Sequence, residues 1–391
     1  MKLFLNFKKY TLLVAVVFFA SIAMTSCDDD ETDGPVTFSG TIAELLNDSQ
    51  YKQAVNGDPL KSFDSLYKYL TVYPDLVAVA SGTTDITLFA PNNTAFVNLL
   101  ATPGFPANIA DISPNVIKGV LSYHVVAGTE LRKAALVPTG TGAGIATAFS
   151  QPDNCNPTAA GTVQVIKVNN DGTLLTGSTN NAIDITTPDL VADNGVVHIV
   201  ESVMIPPSVG ASLTPILGKL SGTVLLGGDF TYLAALITYA DCGFTGAATE
   251  KLAAILSGPG PYTAFLPADA WFTAPVAQGG GGFTSASAAI AALGTPAQVR
   301  AIILDHVITT GAFTSTQLAT GGNRTAAGGA TLTFTPGNFP GTTNATIFIK
   351  DLECTSGADP VAVANISHSN GTAHAIFGVI TDCTAAVASG N

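Results

Sequence analysis

Apolar positions recur along this chain with two different periods, and each period names an element. Thr87-Leu88-Phe89-Ala90 is a short apolar run closed by Pro91, whose ring cannot donate to a ladder, so it reads as a strand and its end. Asn92 or Asn93 then supplies the cap of a helix that turns Ala95-Phe96 and Leu99-Leu100 inward. Val116-Ile117, Val120-Leu121 and His124 follow at helical spacing behind Ser113-Pro114, a cap with a first-turn proline. Val163 to Val168, the turn Asn170-Asp171-Gly172 and Thr173-Leu174-Leu175 predict a hairpin. Val196 to Val200 is a strand entered through Asn194-Gly195, and Thr331 to Phe334 and Ala345 to Ile349 are strands further on. Gly279 to Gly282 reads as a flexible loop, and 139–161, rich in Gly, Thr and Ala, as a longer one. Helices come first and strands later in each half. The class is therefore α+β, with helices packed against a strand-rich wedge.

The halves are copies of one another. Thr87-Leu88-Phe89-Ala90-Pro91-Asn92-Asn93-Thr94-Ala95-Phe96 recurs as Thr263-Ala264-Phe265-Leu266-Pro267-Ala268-Asp269-Ala270-Trp271-Phe272, so that Phe89 and Phe265 stand 176 positions apart. Asn194-Gly195-Val196-Val197-His198 recurs as Asn370-Gly371-Thr372-Ala373-His374 at the same offset of 176. Two distant landmarks sharing one offset mark a duplication. A third landmark, Leu121-Ser122-Tyr123-His124-Val125 against Leu304-Asp305-His306-Val307, stands 182 apart. The second repeat thus gains residues before this point and loses them after it.

Taken together, the three blocks resemble the fasciclin domain: the T-x-F-A-P-x-x-x-A-F block, the Tyr-His block and the N-G-x-x-H block, in order and twice over. The resemblance covers nearly everything from Thr41 to Cys383 and implies two tandem domains, each a β-rich wedge or sandwich with packed helices. The second repeat departs from the pattern in Asp305 for the tyrosine, Leu266 for the alanine, and the lack of a proline pair after Val379-Ile380. In that family the surface around the Tyr-His block and the first motif contacts other cell-surface molecules. Carried over, this points to Asn92, Asn93, Tyr123, His124 and Val125, with Val126 beside them. Core packing is the competing reading for Tyr123 and His124.

The N-terminus sets the expected compartment. Lys2, Lys8 and Lys9 precede an apolar stretch from Leu12 to Met24, about 13 residues against the ~20 that span a bilayer, as in a signal peptide. Met24-Thr25-Ser26-Cys27 resembles the lipobox of bacterial lipoproteins, with Met24 where leucine is usual; Cys27 would carry the lipid. An ordinary secretory signal is the alternative. The acidic run from Asp28 to Asp33 is a solvated tether and resembles a surface-export signal of some Gram-negative phyla, whereas elsewhere an Asp after the cysteine retains the protein in the inner membrane. The expected organisation is a signal peptide over 1–26, a tether over 27–40, domains over 41–207 and 213–383 joined by a linker over 208–212, and a tail over 384–391. The localisation that follows is the cell envelope, lipid-anchored, at the outer membrane and facing outward.

Charge and composition narrow the function. The chain has a net charge of −13 and only 11% charged residues, which disfavours nucleic acid as a partner. Besides Cys27 it has Cys155, Cys242, Cys354 and Cys383, which outside the cytoplasm allow three pairings; Cys354 with Cys383, in one domain, is the preferred pair. No Gly-x-Ser-x-Gly elbow, phosphate loop or Cys-x-x-Cys occurs, so no catalytic residue, cofactor or metal is assigned. His198 and His374, flanked by apolar strand residues, read as buried imidazoles bonded to backbone, His124 and His306 as packing and capping residues, and His368 as exposed in a polar turn. The expected function is adhesion to protein or polysaccharide on a cell surface or matrix, with membrane attachment through the N-terminal lipid. The alternative is a glycan-binding accessory lipoprotein of a polysaccharide uptake system, which calls for exposed aromatics; the single Trp271 sits in a motif position expected to be at least partly buried. An enzyme ranks third.

Overall fold

A computed structural model describes residues 36–380, save 142–143, 152–154, 156–159, 177–180 and 353–356. The expected signal segment, Cys27 and the acidic run after it, Cys354, Cys383 and the expected tail therefore lie outside the described residues.

Each repeat is built on one parallel strand pair. In repeat 1, Ile86–Pro91 lies parallel to Gly195–Val200 and antiparallel to Val125–Ala127, and Ile185–Ala192 completes the sheet. In repeat 2, Tyr262–Pro267 lies parallel to Gly371–Ile376 in the same register, Phe265 opposite His374 as Phe89 is opposite His198. The strand Ile86–Pro91 is buried along its whole length because it separates two cores. Ile86, Leu88 and Ala90 pack into a helical cluster, while Phe89 points the other way into a strand cluster. Ala264 and Leu266 against Phe265 repeat the arrangement. A strand alternates its side chains between faces, so a continuous apolar run is what burial on both faces demands.

The strand regions differ between the repeats. Repeat 1 has a separate sheet of Ile145–Gln151, Thr162–Val168, Leu174–Thr176 and Asn181–Ile183, which includes the expected hairpin with Gly172 at φ 87° in its turn. Repeat 2 runs its strands into one seven-stranded sheet. The segment 139–161 is not the long loop expected, for Ile145–Gln151 is a strand within it. Ile145 and Thr147 are buried and Ala146 and Ala148 exposed, an alternation that small residues hide from a hydropathy reading.

The expected linker 208–212 is also corrected: it lies inside a helix, Pro207–Ile216, whose start is set by the Pro206-Pro207 pair. Val209 and Leu213 of that helix and Leu226 of repeat 2 help to line a small apolar cavity of about 50 Å3 in repeat 1. Backbone bonds join the repeats directly: Ser113 N–H donates to Leu226 O at 2.6 Å, Gly228 N–H to Asp111 O at 2.9 Å and Gly218 N–H to Gly104 O at 3.2 Å. A disulfide between Cys155 and Cys242, 87 positions apart, crosses from one repeat to the other. The preferred Cys354–Cys383 pair lies outside the described residues.

Gly279 to Gly282 is no loose loop either. The N–H groups of Gly280, Gly281 and Gly282 donate to Pro275, Trp271 and Ala274 carbonyls, and Trp271 Nε1 donates to Gly279 O at 3.0 Å.

Candidate interaction site

The motif residues form a polar skeleton, repeated nearly bond for bond. Asn194 accepts the Ile42 N–H at 2.8 Å and donates to Ala80 O at 2.9 Å and Gly82 O at 2.8 Å. Asn370 accepts the Leu220 N–H at 3.0 Å and donates to Leu256 O at 2.8 Å and Gly258 O at 2.9 Å. One amide thus ties a first helix, a helix end and the closing strand together. The glycine after it is required by proximity: a Cβ on Gly195 would stand 1.9 Å from Ile86 O, and one on Gly371 2.3 Å from Tyr262 O. Asn194 and Asn370 each close the two-residue turn of an antiparallel hairpin, Ile185–Ala192 with Gly195–Val200 and Asp359–His368 with Gly371–Ile376, and the glycine that follows lies against the parallel strand.

The histidines are bonded at both ring nitrogens. His198 Nε2 meets Leu131 O at 2.8 Å, and its Nδ1 accepts the Asp189 N–H at 3.2 Å. His374 does the same with Phe313 O at 2.9 Å and the Asn365 N–H at 3.3 Å. Asp189 at φ 59° and Asn365 at φ 63° are the two non-glycine residues of positive φ among the described residues, and both sit at β-bulges. The imidazole therefore receives an N–H that the bulge has turned out of its ladder. His124 Nδ1 meets Val120 O at 2.7 Å, and its Nε2 accepts the Met204 N–H at 2.9 Å. His306 repeats this with Ile302 O at 2.8 Å and the Ile380 N–H at 2.9 Å, despite the missing proline pair. Burial, partly opposed by the backbone bond, pushes both His124 and His306 down to about 4, and burial lowers His198 and His374 too. These rings are neutral joints. His368, expected to be exposed, is half-buried beside Thr223 Oγ1 at 3.4 Å.

All five residues assigned to the interaction surface lie in the interior. Asn92, Asn93, Tyr123, His124 and Val125 are each no more than 5% exposed. Asn92 caps its helix by accepting the Ala95 N–H at 2.9 Å, and Asn93 accepts the Ser65 N–H at 2.9 Å. Asp269, the counterpart of Asn93, accepts the Thr231 and Tyr232 N–H groups, both at 3.0 Å. Tyr123 crosses the interior to donate to Val165 O at 2.9 Å, while burial raises its phenol. Asp305, in its place, turns to the near loop and accepts the Ala330 N–H at 3.3 Å; a Cβ on Gly328 would stand 2.1 Å from that carboxylate. The assignment is corrected because these side chains are buried and their polar atoms are bonded within the repeat, to backbone or, for the Asn93 amide N–H, to Gln53 and Asp64. The polar type of a motif residue does not disclose its depth.

Such a skeleton, twice built, answers to a known pattern. The fasciclin domain family matches residues 61–206 and 230–382. The chain belongs to the fasciclin family. The uncharacterized protein sll1735 of Synechocystis sp. is 29% identical over 131 residues, which span 34% of this chain and 80% of that one. Among solved structures, the fasciclin domain pair of the insect cell adhesion molecule fasciclin I is 16% identical, with a TM-score of 0.30, covering 81% of this chain and 97% of that one. The fasciclin domain is an adhesion-type, non-enzymatic module. Among the described residues no cluster of three or more His, Cys, Asp or Glu is arranged to hold a metal ion.

What repeat 1 does present outward is an apolar groove of about 550 Å3 between the end of the helix Asp64–Leu70 and the start of the helix Pro114–Tyr123. Tyr69, Tyr73, Ile109 and Ile117 line it, and Val72 beside it is 64% exposed. The spacing of motifs carries no sign of it; the one signal in the sequence is the clustering of Tyr67, Tyr69, Val72 and Tyr73 on a short helix and its turn.

Proposed function

We propose that this fasciclin-family chain is an exported adhesion protein, anchored by a lipid on Cys27 and displayed outward from the cell envelope, where it binds protein or polysaccharide of another surface. The observation that carries the reading is the tandem pair of fasciclin domains, joined by a disulfide and backbone bonds into one body. The lipobox-like ending at Cys27 and the acidic spacer behind it support the anchor. The motif histidines support a non-catalytic role, since each bonds backbone through both ring nitrogens and burial lowers its proton affinity. No observation favours the alternative in glycan uptake, because Trp271 packs edge-on against Phe272 and uses its indole N–H within its own loop.

Protease added to intact cells tests display: the chain is expected to be cleaved, with radiolabelled palmitate on the remaining N-terminal fragment. Survival of the full chain on intact cells, absence of the label from wild type, or its retention in Cys27→Ser contradicts the reading. An array of surface proteins and polysaccharides that captures no purified chain contradicts the adhesive part.

A further inference from the structure

The repeats use one stretch of chain in two ways. Between the first-motif helix and the Tyr-His helix, repeat 2 carries a further helix, Ala286–Leu293, capped by Ser285. That helix packs on Thr231–Cys242 and Pro296–Asp305, with Ala289 and Leu293 buried beside Leu236 and Val299. Tyr239 of the longer helix donates to Gly294 O at 3.4 Å at its end. Phe63 and Phe230, buried N-cap residues of Asp64–Leu70 and Thr231–Cys242, mark those two helices as counterparts, and by that register Tyr69 stands where Leu236 does, while Val72 lies in the turn after Leu70, where repeat 2 continues its helix to Cys242. Ile117 stands where Val299 does.

In repeat 1 the corresponding stretch is diverted. Gly104, Asp111, Ile112 and Ser113 are bonded instead to residues 218–228 of repeat 2. Its Ile109 and Ile112 still pack into the core of repeat 1, but a single turn, Ile109–Asp111, stands in place of the two-turn helix, and that turn with Tyr69 and Ile117 walls the 550 Å3 groove.

We propose that this groove is a docking site for a short apolar helix of a partner protein, with the chemistry of Ala286–Leu293. Its own duplicate shows what such walls accept: a helix of Ala, Ser, Ile and Leu that buries Ala289 and Leu293, read as a helix laid into a groove. The groove is continuous with the junction between the repeats, since Ile112 bridges to Gly227 and Asp111 accepts the Gly228 N–H while both line the groove. Its charged lining is one lysine, Lys68, and one aspartate, Asp111, which suits an occupant without net charge, as Ala286–Leu293 is. An isolated helix of this length is marginal in water, so the occupant is part of a folded partner.

The proposal rests on the adhesive reading and names its surface, and its test reads the groove alone. A fluorescent, hydrocarbon-stapled peptide carrying residues 284–295 is titrated into the full chain by anisotropy. Saturable one-site binding is expected, weakened at least tenfold by Val72→Glu and unchanged by Val363→Glu on the other repeat, where the valine is 55% exposed. Both valines are exposed, so neither change threatens the fold. Absence of saturable binding, or binding indifferent to Val72→Glu, overturns the proposal. So does uptake of a spin-labelled twelve-carbon fatty acid into the groove with no binding of the peptide. Adhesion itself is read separately on the array, so the groove can fail while adhesion stands.

Discussion

Residues 101–113 of repeat 1 and 274–295 of repeat 2 occupy the same place in the duplicated plan and have opposite uses. The longer stretch folds back as a helix and closes its own repeat; the shorter one buries Ile109 and Ile112 in its own core while it bonds to the neighbouring repeat, and a groove is left beside Tyr69 and Ile117. The buried motif joints, by contrast, agree closely. Asn194 and Asn370, His198 and His374, His124 and His306, Thr87 and Thr263 bond equivalent backbone atoms. Interior polar bonds resist change because losing one partner strands the other in a dry interior. The solvent-side segment between two helices carries no such penalty. The motif blocks by which the family is recognised are therefore its framework, and the places free to acquire a partner are those the motifs do not include.

The largest way to break the comparison is to separate the repeats. Reduction, or Cys155→Ser with Cys242→Ser, removes a crosslink over 87 positions and is expected to cost about 4–5 kcal/mol in the loop-entropy picture. Differential scanning calorimetry should then show two transitions in place of one; an unchanged single transition would mean that the backbone bonds at Gly104, Asp111 and Ser113 suffice to couple them.

Next come the shared joints. Asn194→Ala and Asn370→Ala each strand one buried N–H and two carbonyls, and each is expected to cost about 3–4 kcal/mol in urea unfolding. Near-equal losses sustain the duplication of the skeleton. A loss confined to one repeat breaks it.

Acid acts on both copies at once. His124 and His306 stay neutral when folded until about pH 4, but protonate near 6.5 when unfolded. Their contribution is whole above 6.5 and falls away as pH drops towards 4, by roughly 2 kcal/mol each at pH 5. His198, His368 and His374 act in the same direction. Asp359, raised to about 7 by burial, opposes them, one carboxyl against five imidazoles. Unfolding midpoints from pH 7 to pH 5 should decline steadily; a rise would contradict the neutral assignment. The smallest effect is Tyr123→Phe, which loses the bond to Val165 O and about 1 kcal/mol, in a position where repeat 2 has Asp305 and a different bond.

Much of this architecture is legible in the sequence. Leu88, Phe89 and Ala90, or Val197, His198 and Ile199, announce a strand buried on both faces, and the shared offset of 176 announces the duplication. The joints were not legible, because Asn194 meets Ile42 across 152 positions and periodicity says nothing of such partners. Ile145–Gln151 escaped because alanine and threonine blur its alternation. The helix across 208–212 escaped because small polar residues between prolines resemble a turn. The Cys155–Cys242 bond was one of three open pairings, since spacing alone does not say which cysteines face one another across the repeats. Asn92, Asn93, Tyr123, His124 and Val125 were placed at the surface because polar and aromatic types suggest contact, whereas here they bond the interior.

The central claim is that the motif blocks build the framework and the diverted segment opens the binding face. Deposition of the soluble chain on the surface material that captures it, compared across wild type, Val72→Glu and Tyr123→Phe by surface plasmon resonance, tests it most directly. The account predicts at least a tenfold loss of affinity for Val72→Glu and wild-type affinity for Tyr123→Phe. Loss at Tyr123→Phe with Val72→Glu unimpaired would return the binding site to the motif and contradict it.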